Sequence, residues 1–357
     1  MKNNFPSSYA TISKELLRQN LTVLKHKAGA ERVLAVVKCD AYRHGARQVS
    51  RAVKDVADWF AVASVDEAID LRMGGITKPI LVFGVPTYEN AAAYQTHGLT
   101  ATVSHKTHFS ILMDGTEYHL NFDTGMGRLG FKPRQSEEVR EQAVLNQRLI
   151  CSGIYSHHSS SDEPDSDFVR IQHERFKDVL SRFSEVPLKH MSCTGTVGNY
   201  PGLDHFDMIR SGIGMVGYSS SSIRFNWLEP ALEWRSKIAQ IRPISKGEAV
   251  SYSSTWLCPE DGYLATLPVG YGDGIPRSLS NRLKVFINQK GYQQVGNITM
   301  DYTMVYLEND QVNPGSEAVL IGDSYNAQNW AEAAGTNTHE ILTNITDRVE
   351  KQYKEYK

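Results

Sequence analysis

A chain of 357 residues, 41% hydrophobic and 22% charged, exceeds what one ordinary domain needs and can bury a large core. Its net charge of −2 excludes the strong basic field on which a nucleic-acid or anionic-membrane partner draws, and no apolar run reaches membrane-spanning length. The four cysteines, Cys39, Cys151, Cys193 and Cys258, are too far apart for a CxxC pair or a disulfide framework, which points to a reducing, cytoplasmic setting.

The N-terminal MKNNFPSSYATISKELLRQN is polar and then helical in pattern, without the apolar core of a secretory signal. Strand-like runs then recur: VLAVV (33–37), WFAVAS (59–64), PILVF (79–83), LTATV (99–103), YHLNF (118–122), RLICSGIYS (148–156), LKHMSC (188–193) and MIRSGIGMVG (208–217). Helical patterns such as VDEAIDLRMGG and QHERFKDVLSRF lie between them. Eight strands alternating with helices predict an α/β fold, a (β/α)8 TIM-like barrel. After about Trp227 the texture changes to short strands with turn signals, among them GYLATLPVG, NRLKVFINQKGYQQVGNITM, TMVYLE and EAVLIGD, with a helix near NWAEAAG. The expected division is a barrel over residues 1–228 and a mostly β C-terminal domain over 229–357, the first ten or so residues being available to pair with the latter.

The first barrel run ends in a lysine: VLAVVKCDAYRHG, residues 33–45. At the C-terminal end of a barrel strand, Lys38 would face the side where barrel active sites sit. An amine among apolar walls has a lowered pKa and can form a Schiff base; the alternative is a strand-end lysine that reaches solvent. Tyr42 could bind a ligand or cap the core. Gly125–Gly130 and Gly212–Gly217 both fit G-x-G-x-x-G, yet neither FKPRQS nor YSSSSIR continues the helix that a dinucleotide site requires. His105 and His108 lack a third metal ligand nearby and read as a solvated surface pair.

FDTGMGRLGF (122–131), YSHHSSSDE (155–163), HFDMIRSGIGMVGY (205–218), VSYSSTW (250–256), LPVGYGDGIPRSLSN (267–281) and VGNITMDYTMV (295–305) follow in that order. With VVKCDAYRHG they resemble the alanine racemase family over nearly the whole chain. The resemblance implies a fold-type III pyridoxal 5'-phosphate (PLP) isomerase that converts L-alanine to D-alanine for peptidoglycan precursors. Racemisation removes an α-proton from one face and returns one to the other, so it needs two bases. By resemblance, Lys38 binds PLP and is one base, and Tyr271 is the other. Tyrosine is a poor base at neutral pH unless cationic neighbours assist it. His157 and Arg210 match the positions that hydrogen-bond behind that tyrosine, and Arg210 also matches the arginine facing the cofactor's pyridine nitrogen. Tyr42, Thr194 and the amides of Gly212 and Ile213 match the phosphate site. Arg128, Met300 and Asp301 match positions around the substrate carboxylate. A homodimer with active sites composed from both chains is also implied, with no nucleic acid, membrane or metal.

The sequence departs from the family pattern at several points. Cys39, Asp40 and Arg43 replace Ala, Asn and Gly after the lysine. Asn121 stands where many members carry a carbamylated lysine that orients the first arginine, so Arg128 is left to take another anion, such as chloride, or none. Asn297 replaces an entrance-lining Arg, Asp347 a Tyr found in some members, and Cys193 an Asn. These changes bear on narrow specificity for alanine and leave the racemisation residues intact. The alternatives are a racemase of another or broader set of amino acids, a PLP decarboxylase on the same plan, which would not need Tyr271, and a non-catalytic PLP carrier, which would not need the β domain.

Overall fold

The computed structural model describes residues 7–219 and 223–355. Two compact units emerge: Glu15–Glu229, and an N-terminal segment ending at Lys14 together with Pro230–Lys357. The first strand, β1 (Ser8–Ser13), belongs to the latter.

The first unit contains β2 (Arg32–Val36), β3 (Trp59–Val62), β4 (Ile80–Val82), β5 (Ala101–Val103), β6 (Glu117–Asn121), β7 (Ile150–Tyr155), β8 (Lys189–His190) and β9 (Met208–Ser211). All pair in parallel, in the orders β4-β3-β2-β9 and β5-β6-β7-β8. Two single bridges, Leu81 to Thr100 and Cys193 to Arg210, join these runs and close an eight-stranded ring. Helices cover the strands, which explains why Val33 to Val37 form an unbroken apolar run without alternation. Leu34, Val36, Ala61, Leu81, Tyr155, Leu188 and Met208 pack as one buried cluster. Between β7 and β8, the helix Asp167–Leu180 buries Val169, His173, Phe176 and Val179, the spacing of one helical face.

In the second unit, β10 (Leu232–Lys237), β11 (Gln240–Ile244), β12 (Gly262–Leu267), β13 (Lys284–Ile287), β14 (Lys290–Gln294), β15 (Thr303–Tyr306), β16 (Glu317–Ile321) and β17 (Glu350–Lys354) join β1 in a nine-stranded sheet. Its order is β11-β12-β15-β14-β13-β16-β10-β1-β17. β1 runs antiparallel to β10 and parallel to β17, so it fastens the chain's C-terminal strand. Alternation explains its placement: Ala10 and Ile12 are fully buried, while Tyr9 and Thr11 are partly exposed.

Three details differ from the sequence reading. The run MIRSGIGMVG is a strand only to Ser211, because Gly212–Gly217 closes a turn in which the Gly217 amide donates to the Gly214 carbonyl at 3.0 Å. A strand, β1, precedes the N-terminal helix Lys14–Ala28; residues 1–6 of the segment expected to pair with the β domain lie outside the described residues. Beyond the expected helix at Ala327–Ala334, the chain adds a helix Thr338–Thr343 and then β17.

Candidate active site

Lys38 follows β2 directly, and its side chain is half-buried at the strand's C-terminal end. Burial, and then the charge of Arg128, lower its pKa; Glu67 opposes them. The next five residues leave ordinary backbone space: Cys39, Asp40, Ala41, Tyr42 and Arg43 all have φ between 52° and 62°. This is one turn of left-handed helix made without glycine, at ~1–2 kcal/mol per residue. Asp40 accepts the Ala46 amide at 2.7 Å at the exit of the turn, a role that needs only the oxygen it shares with the family's Asn. The buried His44 Nδ1–H donates to the Tyr42 carbonyl at 2.9 Å. The turn aims Tyr42 into the core, where burial pushes its phenol pKa up.

Arg210 lies on β9 and is 5% exposed. Its Nη1 donates to His190 Nδ1 at 2.9 Å, and its Nη2 to the carbonyls of Ser156 and Met191 and to His157 Nδ1 at 2.8–3.0 Å. Its guanidinium lies over the Tyr155 ring, on which His190 stacks. Desolvation lowers the pKa of Arg210 to about 10, so it stays cationic at neutral pH. Arginine only donates, so both histidines must accept through Nδ1 and carry their proton on Nε2. Burial, and then Arg210, hold both rings far below the ordinary histidine range, which keeps them neutral.

Thr194, Gly212 and Ile213 converge near Tyr42. A Cβ on Gly212 would sit 2.0 Å from the Tyr42 hydroxyl, and one on Gly214 would meet the Thr194 side chain at 2.6 Å. Only glycine lets the backbone come so close to these two hydroxyls. The Gly212 and Ile213 amides have no acceptor among the described residues. Two hydroxyls and two amides at one place form a cradle suited to a phosphate.

Arg128 sits on the exposed loop after β6, which Asp123 shapes by accepting the amides of Gly125 and Gly127 at 3.0 and 2.9 Å. Burial would raise the pKa of that carboxyl, but Lys132 and the two amides hold it below its ordinary value. Arg128 makes no hydrogen bond or ion pair with the described residues. It lines a cavity of about 390 Å3 with Ser104, His105, His108, Asp123 and Lys132. Because Asp123 is already paired with Lys132, the cavity is basic on balance. His108 is buried, its Nδ1 accepting the Ser104 amide, so the expected solvated pair with His105 is corrected. Asn121 donates to the Leu129 carbonyl at 3.3 Å and so serves the same loop.

Tyr271, Met300 and Asp301 are brought together within the second unit. The Tyr271 amide donates to the Thr299 carbonyl at 3.0 Å and the Gly272 amide to the Met300 carbonyl at 2.9 Å. A Cβ on Gly270 would meet those same two carbonyls within 2.5 Å, so the clasp requires glycine. Arg348 locks it by pairing with Asp273 at 3.1 Å and Asp301 at 2.8 Å. The sequence reading missed Arg348, although it is the basic residue next to Asp347. Tyr271 and Met300 are about half-exposed, at 42% and 53%. Of the other departures, Asn297 donates to the Tyr252 carbonyl at 2.8 Å, while Asp347 is exposed and 3.6 Å from Lys351.

The family model for the alanine racemase N-terminal domain matches residues 12–220, and that for the C-terminal domain matches 231–353. The alanine racemase of Carboxydothermus hydrogenoformans is 36% identical over 97% of this chain and 99% of its own. That of Corynebacterium efficiens is 32% identical over 96% and 97%. Among solved structures, alanine racemase from E. faecalis superposes with a TM-score of 0.92 at 29% identity, covering 98% of both chains. The alanine racemase from Bacillus anthracis with bound L-Ala-P gives 0.90 at 30% identity, covering 99% of this chain and 96% of that one.

Proposed function

The chain belongs to the alanine racemase family and is an isomerase that interconverts L- and D-alanine; we propose that it does so with PLP on Lys38 and with Lys38 and Tyr271 as two opposed bases. When bound, PLP draws electrons from the substrate's α-carbon and weakens its α C–H bond. The glycine cradle supports a phosphate between Tyr42, Thr194 and the amides of Gly212 and Ile213. Arg210 would meet the pyridine nitrogen. It can only donate, so it would leave that nitrogen unprotonated, which would moderate the electron demand and restrain side reactions such as transamination.

The observation that carries this reading is the Lys38 amine, half-buried at the end of a barrel strand and made easier to deprotonate by burial and Arg128. Freed when the substrate's amino group takes its place on the cofactor, this amine would accept the α-proton on one face and give one back in the reverse direction. Tyr271 serves the other face, and in this reading His157, which carries its proton on Nε2, is the donor behind the phenol, backed in turn by Arg210. Arg128, which has no partner among the described residues, takes the substrate carboxylate with the Met300 amide as a second donor, while Asp301, its charge met by Arg348, lies beside that position.

The functional unit in this reading is a homodimer, in which Tyr271, Met300 and Asp301 of one chain complete the site around Lys38 of the other. Four unpaired cysteines are in keeping with a cytoplasmic enzyme that supplies D-alanine for peptidoglycan. Among the described residues, no helix is long and apolar enough to cross a membrane. The test is L-alanine in deuterated water with PLP-loaded protein. Deuterium should enter the α-position as the centre inverts; loss of CO2, or no exchange, would overturn the reading.

A further inference from the structure

A left-handed turn that begins one residue after a functional lysine has to be held from outside. At its two ends the Ala41 amide donates to the Val37 carbonyl at 2.9 Å, the His44 amide to the Ala41 carbonyl at 3.1 Å and the Gly45 amide to the Asp40 carbonyl at 2.9 Å. Asp40 fastens the exit, and a single carboxylate fastens the start. Glu67 Oε1 accepts the Cys39 amide at 2.6 Å, and Glu67 Oε2 accepts the Ala63 amide at 2.7 Å. Cys39 lies just past β2 and Ala63 just past β3, so one side chain straps together the ends of two neighbouring barrel strands. Its own backbone is fixed, because the Glu67 amide donates to the N-cap Ser64 Oγ at 3.3 Å in the first turn of the helix Val65–Met73.

We propose that Glu67 is a positioning residue for Lys38, holding the left-handed turn in register with β3 so that the amine stays aimed at the reacting centre. The inference rests on the reading that Lys38 carries the cofactor. It explains why both carboxylate oxygens are used: a glutamine in the same place accepts through one oxygen only and turns its NH2 toward the other amide, donor against donor. The negative charge also opposes the effect of burial and Arg128 on Lys38, which keeps the amine protonatable.

The bland alternative is that Glu67 merely supports its helix, as the neighbouring Asp66 does in the same first turn. Three variants separate the two readings: Glu67→Gln, Glu67→Asp and, as the helix control, Asp66→Asn. Amide hydrogen exchange is followed for residues 38–46 and 62–68, with and without PLP, alongside the apparent dissociation constant for PLP. Glu67→Gln should speed exchange at Cys39–Gly45 by about tenfold and weaken PLP retention by a similar factor, the effect of losing one charge-assisted hydrogen bond. Glu67→Asp, which keeps the charge but shortens the reach, should fall between wild type and Glu67→Gln. Asp66→Asn should leave both readouts at wild type. If Glu67→Gln does not fold, the same comparison is made with Glu67→Asp. Exchange at Cys39–Gly45 no faster in the Glu67 variants than in Asp66→Asn overturns the strap. Failure of the Lys38 reading is a separate result: Lys38→Ala protein that still retains PLP after borohydride reduction.

Discussion

Arg210 donates to His190 at 2.9 Å, and that bond orders the protons of a chain running into the barrel interior. With Nδ1 occupied as an acceptor, His190 holds its proton on Nε2 and donates it to His119 Nδ1 at 2.9 Å. His119 thus also carries its proton on Nε2, against Gly153, where a Cβ would come within 2.5 Å of that nitrogen. A buried cation is supported by neutral rings in one fixed tautomeric order, which a site requiring a donor-only arginine needs.

Replacing His190 with Phe keeps a ring against Tyr155 but leaves one Arg210 N–H and the His119 acceptor unpaired. The expected cost is ~2–5 kcal/mol, because two buried polar groups, one of them charged, lose a partner. Urea unfolding of the unliganded protein measures it. A variant as stable as wild type would show that the chain contributes nothing to the fold.

Acid should act through the same region. Burial lowers the pKa of His119 and His158 to about 3 and that of His108 to about 4. His157 and His190 move the same way. Each ring stays neutral in the fold where the unfolded chain, with histidine near 6.5, already binds a proton. Unfolding therefore takes up protons from about pH 6.5 down to about 4 for His108 and about 3 for His119 and His158. Stability is fully present above that window and falls as pH drops through it. Three such rings lower the unfolding free energy by at least ~3 kcal/mol between about pH 6.5 and 5.5. Denaturant unfolding at a series of pH values reads this directly, and a flat profile would contradict it.

Tyr271→Phe keeps the ring and removes the hydroxyl. Each direction of racemisation uses both faces, so the rate should fall by about 10²–10⁴-fold both ways. Exchange of the α-hydrogen in deuterated water should survive for one enantiomer, through Lys38, and fail for the other. Equal loss for both enantiomers would count against Tyr271 as the second base.

The sequence made much of this legible, and the gaps have physical causes. The strands from β2 to β5 stand out because burial on both faces makes them almost wholly apolar, as in VLAVV and PILVF. The barrel's closure is less visible, since its seams rest on two single bridges, at Leu81 and Cys193, with no composition signal. The left-handed turn is hidden because Cys-Asp-Ala-Tyr-Arg has no glycine to announce a positive φ, and the bonds to Glu67 and Ala46 that help hold it are set by the fold. Glu67 itself reads as an ordinary acidic residue in a first helical turn. Arg348 reads as a surface charge until the fold sets it against Asp273 and Asp301.

The shared-site proposal makes a quantitative claim. Lys38 lies in the barrel unit, and Tyr271, Met300 and Asp301 lie in the β unit. If one chain's β unit completes the partner's barrel, Lys38→Ala and Tyr271→Phe are lesions in different halves of each site. Each variant alone forms dimers with both sites damaged. Unfolded and refolded together, with random pairing, about half of the dimers are mixed. A mixed dimer holds one site with both lesions and one with neither, so the mixture should regain about a quarter of wild-type activity. Differential tags on the two variants confirm that mixed dimers have formed. With sites built within single chains, every site in a mixed dimer keeps one lesion, and the mixture stays as inactive as its parents. That outcome, with mixed dimers present, would place Lys38 and Tyr271 of the same chain in one site.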